Sequence, residues 1–274
     1  MENQRREFSS NARAVIDEFI PICHKLANGR GKYAISVGGS HGKGTWDSHS
    51  DIDFRLFHEK DLPWTDTDPE LWKDYFEAEA RWRKKGVIID GIWSRKIDQI
   101  DAALNRWLEG DIHPDDLIWT IWGYQVLPDI YHQATIEDPY HIIGDWKQRL
   151  QNYPAKLKRA ILDKHLASVR YWRKDYHYAH KVSRGDIVFT AGLSVKLVHD
   201  LIQILFALNE TYFVGDGQNL DFVQKFKLAP SGFSEKVKGI LYPSAVNEPL
   251  KIQYELLIGL IDEVVQLASE IAPT

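Results

Sequence analysis

The sequence predicts an α+β protein, with a mixed α/β amino-terminal half over residues 1–138 and a helical carboxy-terminal half over 139–274. Three observations carry this reading. Short apolar, partly β-branched runs bounded by glycine and polar residues recur before residue 95, as strands do. Beyond Pro139 apolar residues recur at helical spacing almost throughout. Between the two, Glu137-Asp138-Pro139 marks a turn, which puts the junction within 133–145.

The elements follow in order. Val15, Phe19, Ile22, Cys23 and Leu26 give a helix from Ser10 to Leu26, capped by Ser9, Ser10 or Asn11, bent at Pro21 and closed by Asn28-Gly29. Tyr33–Val37, Ile52–Phe57 and Val87–Trp93 read as strands. Residues 59–68 form an acidic, proline-containing loop, and Pro69–Lys85 an amphipathic helix. Ile97–Leu108 is helical, Pro114–Ile121 a short helix and 124–130 a strand. Helices then run from Pro154 to His180, Ile187 to Asn209 and Val246 to Ile271.

Composition narrows the function. A net charge of −5 gives no electrostatic basis for extended nucleic-acid binding. One cysteine, Cys23, excludes an intramolecular disulfide and a cysteine zinc cluster. No uninterrupted apolar run approaches the roughly 20 residues that span a bilayer, and MENQRREFSS has no secretory core. The expectation is a cytoplasmic protein that does not engage membranes. Most of the 10 tryptophans are expected in the core.

The chemistry concentrates in SVGGSHGKGTWDSHSDIDFRLF, residues 36–57. Gly38 and Gly39 permit a sharp bend and close approach to the main chain, and Ser40 adds a hydroxyl; such a loop grips phosphate or is an ordinary strand-to-helix turn. The Walker pattern is absent, because Thr45-Trp46 follows Gly44. Asp51 and Asp53, two apart in a strand, project from one face. They repel unless a cation lies between them, and magnesium suits oxygen ligands of this kind; the alternative is a solvated strand end. Asp90 interrupts the apolar run VIIDGIW, where an unpaired carboxylate is costly. It joins the other two acids or is a structural residue bonded to backbone amides.

Gly38-Gly39-Ser40, Gly44, Asp47, Ser50, Asp51, Asp53 and the distal Asp90 together resemble the DNA polymerase beta-like nucleotidyltransferase superfamily. The helical stretch RGDIVFTAGLSVKLVHDLIQILFALNETYF looks like the carboxy-terminal domain of small bacterial aminoglycoside and lincosamide adenylyltransferases. The resemblance implies a small mixed-sheet nucleotidyltransferase domain, 1–138, and a helical substrate- and nucleotide-binding domain, 139–274, with the ligands between them. It implies that Asp51, Asp53 and Asp90 are catalytic and bind Mg²⁺, Asp90 as a metal ligand or as general base. Gly39, Ser40, Lys43 and Ser50 then hold the nucleotide, with Arg184 and Lys196 on its triphosphate. From the residues alone, Arg184 and Lys196 fit a solvated helix face equally. His41-Gly42-Lys43 departs from the Arg-Gly pair usual in polymerases, and Lys43 brings a point charge without a bidentate fork.

The activity so implied is Mg²⁺-dependent transfer of a nucleoside monophosphate, AMP from ATP, to a hydroxyl of a small molecule such as an antibiotic. The alternatives are a protein or transfer-RNA acceptor, or a non-catalytic nucleotide-binding, antitoxin-like module. Intact Asp51, Asp53 and Asp90 argue against the last.

Overall fold

The computed structural model describes residues 8–242 and 248–271. The chain divides into two compact units, Met1–Asn105 with Gln125–Asn152, and Arg106–Tyr124 with Tyr153–Thr274. The expected boundary at 138/139 falls within the second segment of the first unit.

The first unit is built on a small mixed sheet. Helix α1 (Ser10–Ala27) leads to strand β1 (Tyr33–Val37), the short helix α2 (Gly39–Lys43), β2 (Ile52–His58), α3 (Pro69–Lys84), β3 (Ile89–Lys96) and α4 (Ile97–Leu108), which carries the chain out of the unit. It returns with α5 (Val126–His132), β4 (Ala134–Glu137) and α6 (Ile142–Arg149). The strand order is β3-β2-β1-β4; β2 and β3 run parallel and the other pairs antiparallel. Strand alternation divides β2. Ile52, Phe54 and Leu56 are buried with Val15, Phe19, Ile22, Cys23 and Leu26 of α1 and Trp72, Tyr75 and Trp82 of α3. Phe19 stacks on Phe54 at 4.9 Å between ring centres. Asp53 and Arg55 occupy the opposite face, and Phe57 meets Trp146 of α6 edge-on at 4.9 Å. Ser9 caps α1 by accepting from the Ala12 N–H at 3.1 Å, and the helix runs unbroken through Pro21.

The second unit is helical: α7 (Ala155–Lys174), α8 (Tyr176–Ser183), α9 (Ile187–Leu208), α10 (Asn219–Val223), α11 (Phe233–Leu241) and α12 (Pro249–Ile271). Its centre is α9, against which α7, α11 and α12 pack. Helix α9 is 22 residues long and, by length and composition, apolar enough to cross a membrane, although 72% of that window is buried in the unit. No unbroken apolar run marks this helix, because Lys196, His199 and Asp200 interrupt a segment that is apolar on average.

Several expectations need correction. β3 begins two residues later than expected and extends to Lys96, because Ser94, Arg95 and Lys96 pair with Leu56, Phe57 and His58. Residues 126–132 are helical, and the fourth strand is the adjacent 134–137, which exists through pairing with β1. Residues 114–121 form turns around the Asp115–Tyr124 bridge rather than a helix. The helix expected from Pro154 to His180 breaks at Asp175, whose carboxylate accepts from the His177 N–H at 2.8 Å and caps α8. The expected start of the last helix at Val246 lies outside the described residues. Only Trp72, Trp82, Trp107 and Trp146 are fully buried among the tryptophans, and Trp46, Trp64 and Trp119 are exposed.

Candidate functional site

The turn after β1 is built around the side chains of β2. The Gly38 N–H donates to the Asp53 carbonyl at 2.9 Å, carrying the β1–β2 ladder one step further. Gly39 adopts φ +54°, and a Cβ there overlaps the Asp53 carboxylate. A Cβ on Gly38 lies 2.9 Å from Arg55 Cζ and 3.0 Å from Asp129 Oδ1. The glycines therefore make room for the protein's own charged groups. The Ser40 hydroxyl is buried without a hydrogen-bond partner among the described residues, an uncommon state for a buried polar atom. The turn does continue into a helix, α2, which ends at Gly44 in the left-handed region, φ +73°.

The three expected acids lie at one end of β2 and β3. Asp51 immediately precedes β2, and its carbonyl accepts from His41 Nδ1 at 2.9 Å. Asp53 has a buried side chain, 13% exposed. Burial lifts its pKa, the Arg55 charge opposes this, and the carboxylates of Asp51, Asp90 and Asp129 add to it, leaving it at about 6. Asp90 is exposed, not buried as its apolar surroundings in the sequence suggest. Neighbouring atoms still shield it enough that partial desolvation, followed by the charge of Asp51, raises its pKa against the pull of Arg55. A bulge sets its direction: Ile52 pairs with Ile89 but Phe54 with Ile92, so Asp90 and Gly91 together face Asp53. Gly91 takes φ +104°, which the bulge requires and a side chain resists.

These acids fit a divalent cation in chemistry, and their mutual repulsion is the charge such an ion relieves. Among the described residues no three or more His, Cys, Asp or Glu side chains are gathered to hold a metal ion on their own. Magnesium seldom has such a cage, since it usually takes one or two carboxylates and completes its shell with water and substrate phosphates.

Two residues of this site escape a reading of the sequence. Arg55 donates to Asp129 of α5 through Nε at 3.0 Å and Nη2 at 3.3 Å, and Nη2 stands 3.7 Å from Asp53 Oδ1. The Arg55 guanidinium lies 4.8 Å from the centre of the Trp93 ring. Its place two residues after Asp53 was the available signal; Asp129, 74 residues further on, offered none.

The remaining expected residues have local roles. Ser50 and Asp47 brace their loop, with the Ser50 hydroxyl donating to the Asp47 carboxylate at 3.1 Å and accepting from the Asp47 N–H at 2.9 Å. Lys43 ends α2 and is half-buried. In the helical unit, Arg184 is exposed at the end of α8, and Asp186 caps α9 by accepting from the Phe189 N–H at 3.2 Å. Lys196 is no bare helix-face lysine: Nζ donates to Asp200 Oδ2 at 2.7 Å and to the Ser168 hydroxyl at 2.6 Å. Asp200, one helical turn beyond Lys196, is buried and also accepts from His165 Nδ1 and the Ser168 hydroxyl, each at 2.7 Å. Burial alone raises its pKa, but the bonds from His165, Lys196 and Ser168 outweigh that and leave it lowered. His199 stacks on Trp122 with 4.0 Å between ring centres, and burial, then the charge of His165, pushes its pKa down to about 3.

Residues 119–215 match a domain of unknown function (DUF4037). The stretch runs from Trp119 past α9, so it takes in Asp129, Lys196 and Asp200 and leaves out Asp51, Asp53 and Asp90. No curated protein matches the chain.

Proposed function

We propose that this chain is a Mg²⁺-dependent nucleotidyltransferase that moves a nucleoside monophosphate, AMP from ATP, to a hydroxyl group of a small molecule. The observation that carries the reading is the charge of the β2–β3 end. Burial first, and then the charges of neighbouring carboxylates, lift Asp53 to about 6, and burial followed by the charge of Asp51 raises Asp90. Such a cluster favours a divalent cation, and Asp51 and Asp53 are its assigned ligands, with Asp90 beside them. When bound, the cation supplies charge neutralisation at the nucleotide's phosphates.

The chain's own residues do the positioning. Ser40 has a buried hydroxyl to donate and no partner for it among the described residues, which suits a phosphate oxygen. Asp90 is exposed and has a raised pKa, which suits a base at neutral pH. It takes the proton of the acceptor hydroxyl as that oxygen bonds to the α-phosphorus, and the bond to the departing pyrophosphate breaks. Phosphoryl chemistry of this type depends mostly on such positioning and electrostatics.

The test is ATP labelled in the α-phosphate, with Mg²⁺ and a panel of aminoglycosides, lincosamides and other polyhydroxylated acceptors. Label is expected to move to an acceptor with release of pyrophosphate, and Asp53→Asn to reduce the rate by roughly 10²-fold or more. Undiminished transfer by both Asp51→Asn and Asp53→Asn, or no transfer and no pyrophosphate with any acceptor, overturns the reading.

A further inference from the structure

The contact between Arg55 and Asp129 bears on how Asp53 is kept available. Arg55, Asp129 and Asp53 have side chains 12%, 12% and 13% exposed, so water does little to separate their charges. An arginine beside a buried carboxylate ordinarily closes on it as a two-pronged pair with short, charge-assisted bonds. Here the prongs go elsewhere. Nε and Nη2 of Arg55 reach the two oxygens of Asp129 at 3.0 and 3.3 Å, and Nη1 donates to the Phe54 carbonyl at 3.2 Å. Asp53 Oδ1 stays 3.7 Å from Nη2, near enough to feel the charge and too far for a hydrogen bond. The missing side chain of Gly38 leaves the space that Arg55 and Asp129 fill.

We propose that Asp129 is a positioning residue of this site, holding Arg55 sideways so that the guanidinium screens Asp53 without capping the oxygen a divalent cation needs. The inference rests on the cation-binding role proposed for Asp53. Two carboxylates compete for one guanidinium, and the one on α5 wins both prongs. Removing the winner releases Arg55 onto Asp53. Removing Arg55 as well takes away the group that would close on Asp53.

Mn²⁺ is the probe, with free ion counted by electron paramagnetic resonance and affinity by titration calorimetry, so that no turnover is needed. Asp129→Asn is expected to weaken Mn²⁺ binding by about ten-fold, and Arg55→Gln together with Asp129→Asn to return it to the parent level or tighter. A merely structural Asp129 predicts the reverse, a double variant at least as weak as Asp129→Asn, and that result overturns the proposal. So does parent-like binding by Asp129→Asn. Should Asp129→Asn fail to fold in a thermal melt, Arg55→Gln and Arg55→Lys carry the same question with Asp129 intact. Lysine keeps the charge but cannot span both Asp129 oxygens. Arg55→Lys is expected to bind Mn²⁺ about ten-fold more weakly than Arg55→Gln, and equal affinities overturn the proposal. Asp53→Asn separates the two levels. If it binds Mn²⁺ as the parent does, the cation role of Asp53 fails and this inference with it; if it loses binding while Asp129→Asn does not, only this inference fails.

Discussion

Asp53 in the sheet unit and Asp200 in the helical unit are both buried aspartates, with side chains 13% and 6% exposed, yet their acidities are displaced in opposite directions. Asp200 takes hydrogen bonds from a histidine, a lysine and a serine, and these more than offset the cost of burial. Asp53 faces other carboxylates, and the Arg55 guanidinium 3.7 Å from it makes its hydrogen bonds to Asp129. The first arrangement is complete within the protein. The second is compensated only in part, by the Arg55 charge 3.7 Å away, and groups that bind or react with something else are commonly kept so. Burial alone therefore does not separate a structural aspartate from a functional one; its partners do.

The comparison breaks most visibly at Asp200. Asp200→Ala leaves His165 and Ser168 without their acceptor and the half-exposed Lys196 without its charge partner, and losing a charged acceptor of buried donors costs about 1–3 kcal/mol. Urea denaturation followed by circular dichroism is expected to show a loss of this order. A loss under 1 kcal/mol means the network adds no more than a surface pair does.

Asp53→Asn is expected to act in the opposite sense. The folded pKa of about 6 lies above the ordinary 3.8, so the folded state keeps a proton that the unfolded chain has released. Stability from this group is greatest below pH 4, falls as pH rises through about 6, and stays lowered at neutrality. A displacement of about two pKa units corresponds to about 3 kcal/mol as an upper bound. Asn removes the penalty, so the variant is expected to be about 1–3 kcal/mol more stable at pH 7 and to lose the decline between pH 4 and 6. Melting temperatures across pH 4–8 check this. A variant less stable than the parent at pH 7 shows that Asp53 is settled in the way Asp200 is.

Ser40→Ala carries the smallest effect on stability. The hydroxyl has no partner among the described residues to lose, so the unliganded melting temperature is expected to stay within the equivalent of about 0.5 kcal/mol of the parent. ATP–Mg²⁺ affinity is expected to fall by about ten-fold. Calorimetry showing equal affinities returns Ser40 to an incidental place in the turn.

The sequence pattern makes much of this architecture legible and leaves definite gaps. β1, β2, α1, α3, α4 and α9 match their apolar periodicity to within a residue or two, because each carries its buried stripe in its own residues. β3 and β4 are set by pairing with neighbours far along the chain, and β3 accordingly extends past Trp93 through charged residues. The period-two spacing reveals that Asp51 and Asp53 share a face, and a bulge around Gly91 decides where Asp90 lies. Arg55–Asp129 and His165–Asp200 join residues 74 and 35 positions apart, which no local pattern encodes. Lys196 and Asp200, four apart, look like an ordinary pair on a helix surface until burial makes one of them a hub.

The composition of α9 has a consequence for the chain before it folds. A 22-residue helix of this apolarity is long enough to enter a bilayer as it leaves the ribosome. Lys196 and Asp200 sit near its midpoint, where each costs about 2.5–3.5 kcal/mol on insertion scales. The same two residues that join α9 to α7 through Ser168 and His165 thus penalise the segment in lipid. Replaced by leucines, they would take from the segment the two charges that most oppose its entry into lipid.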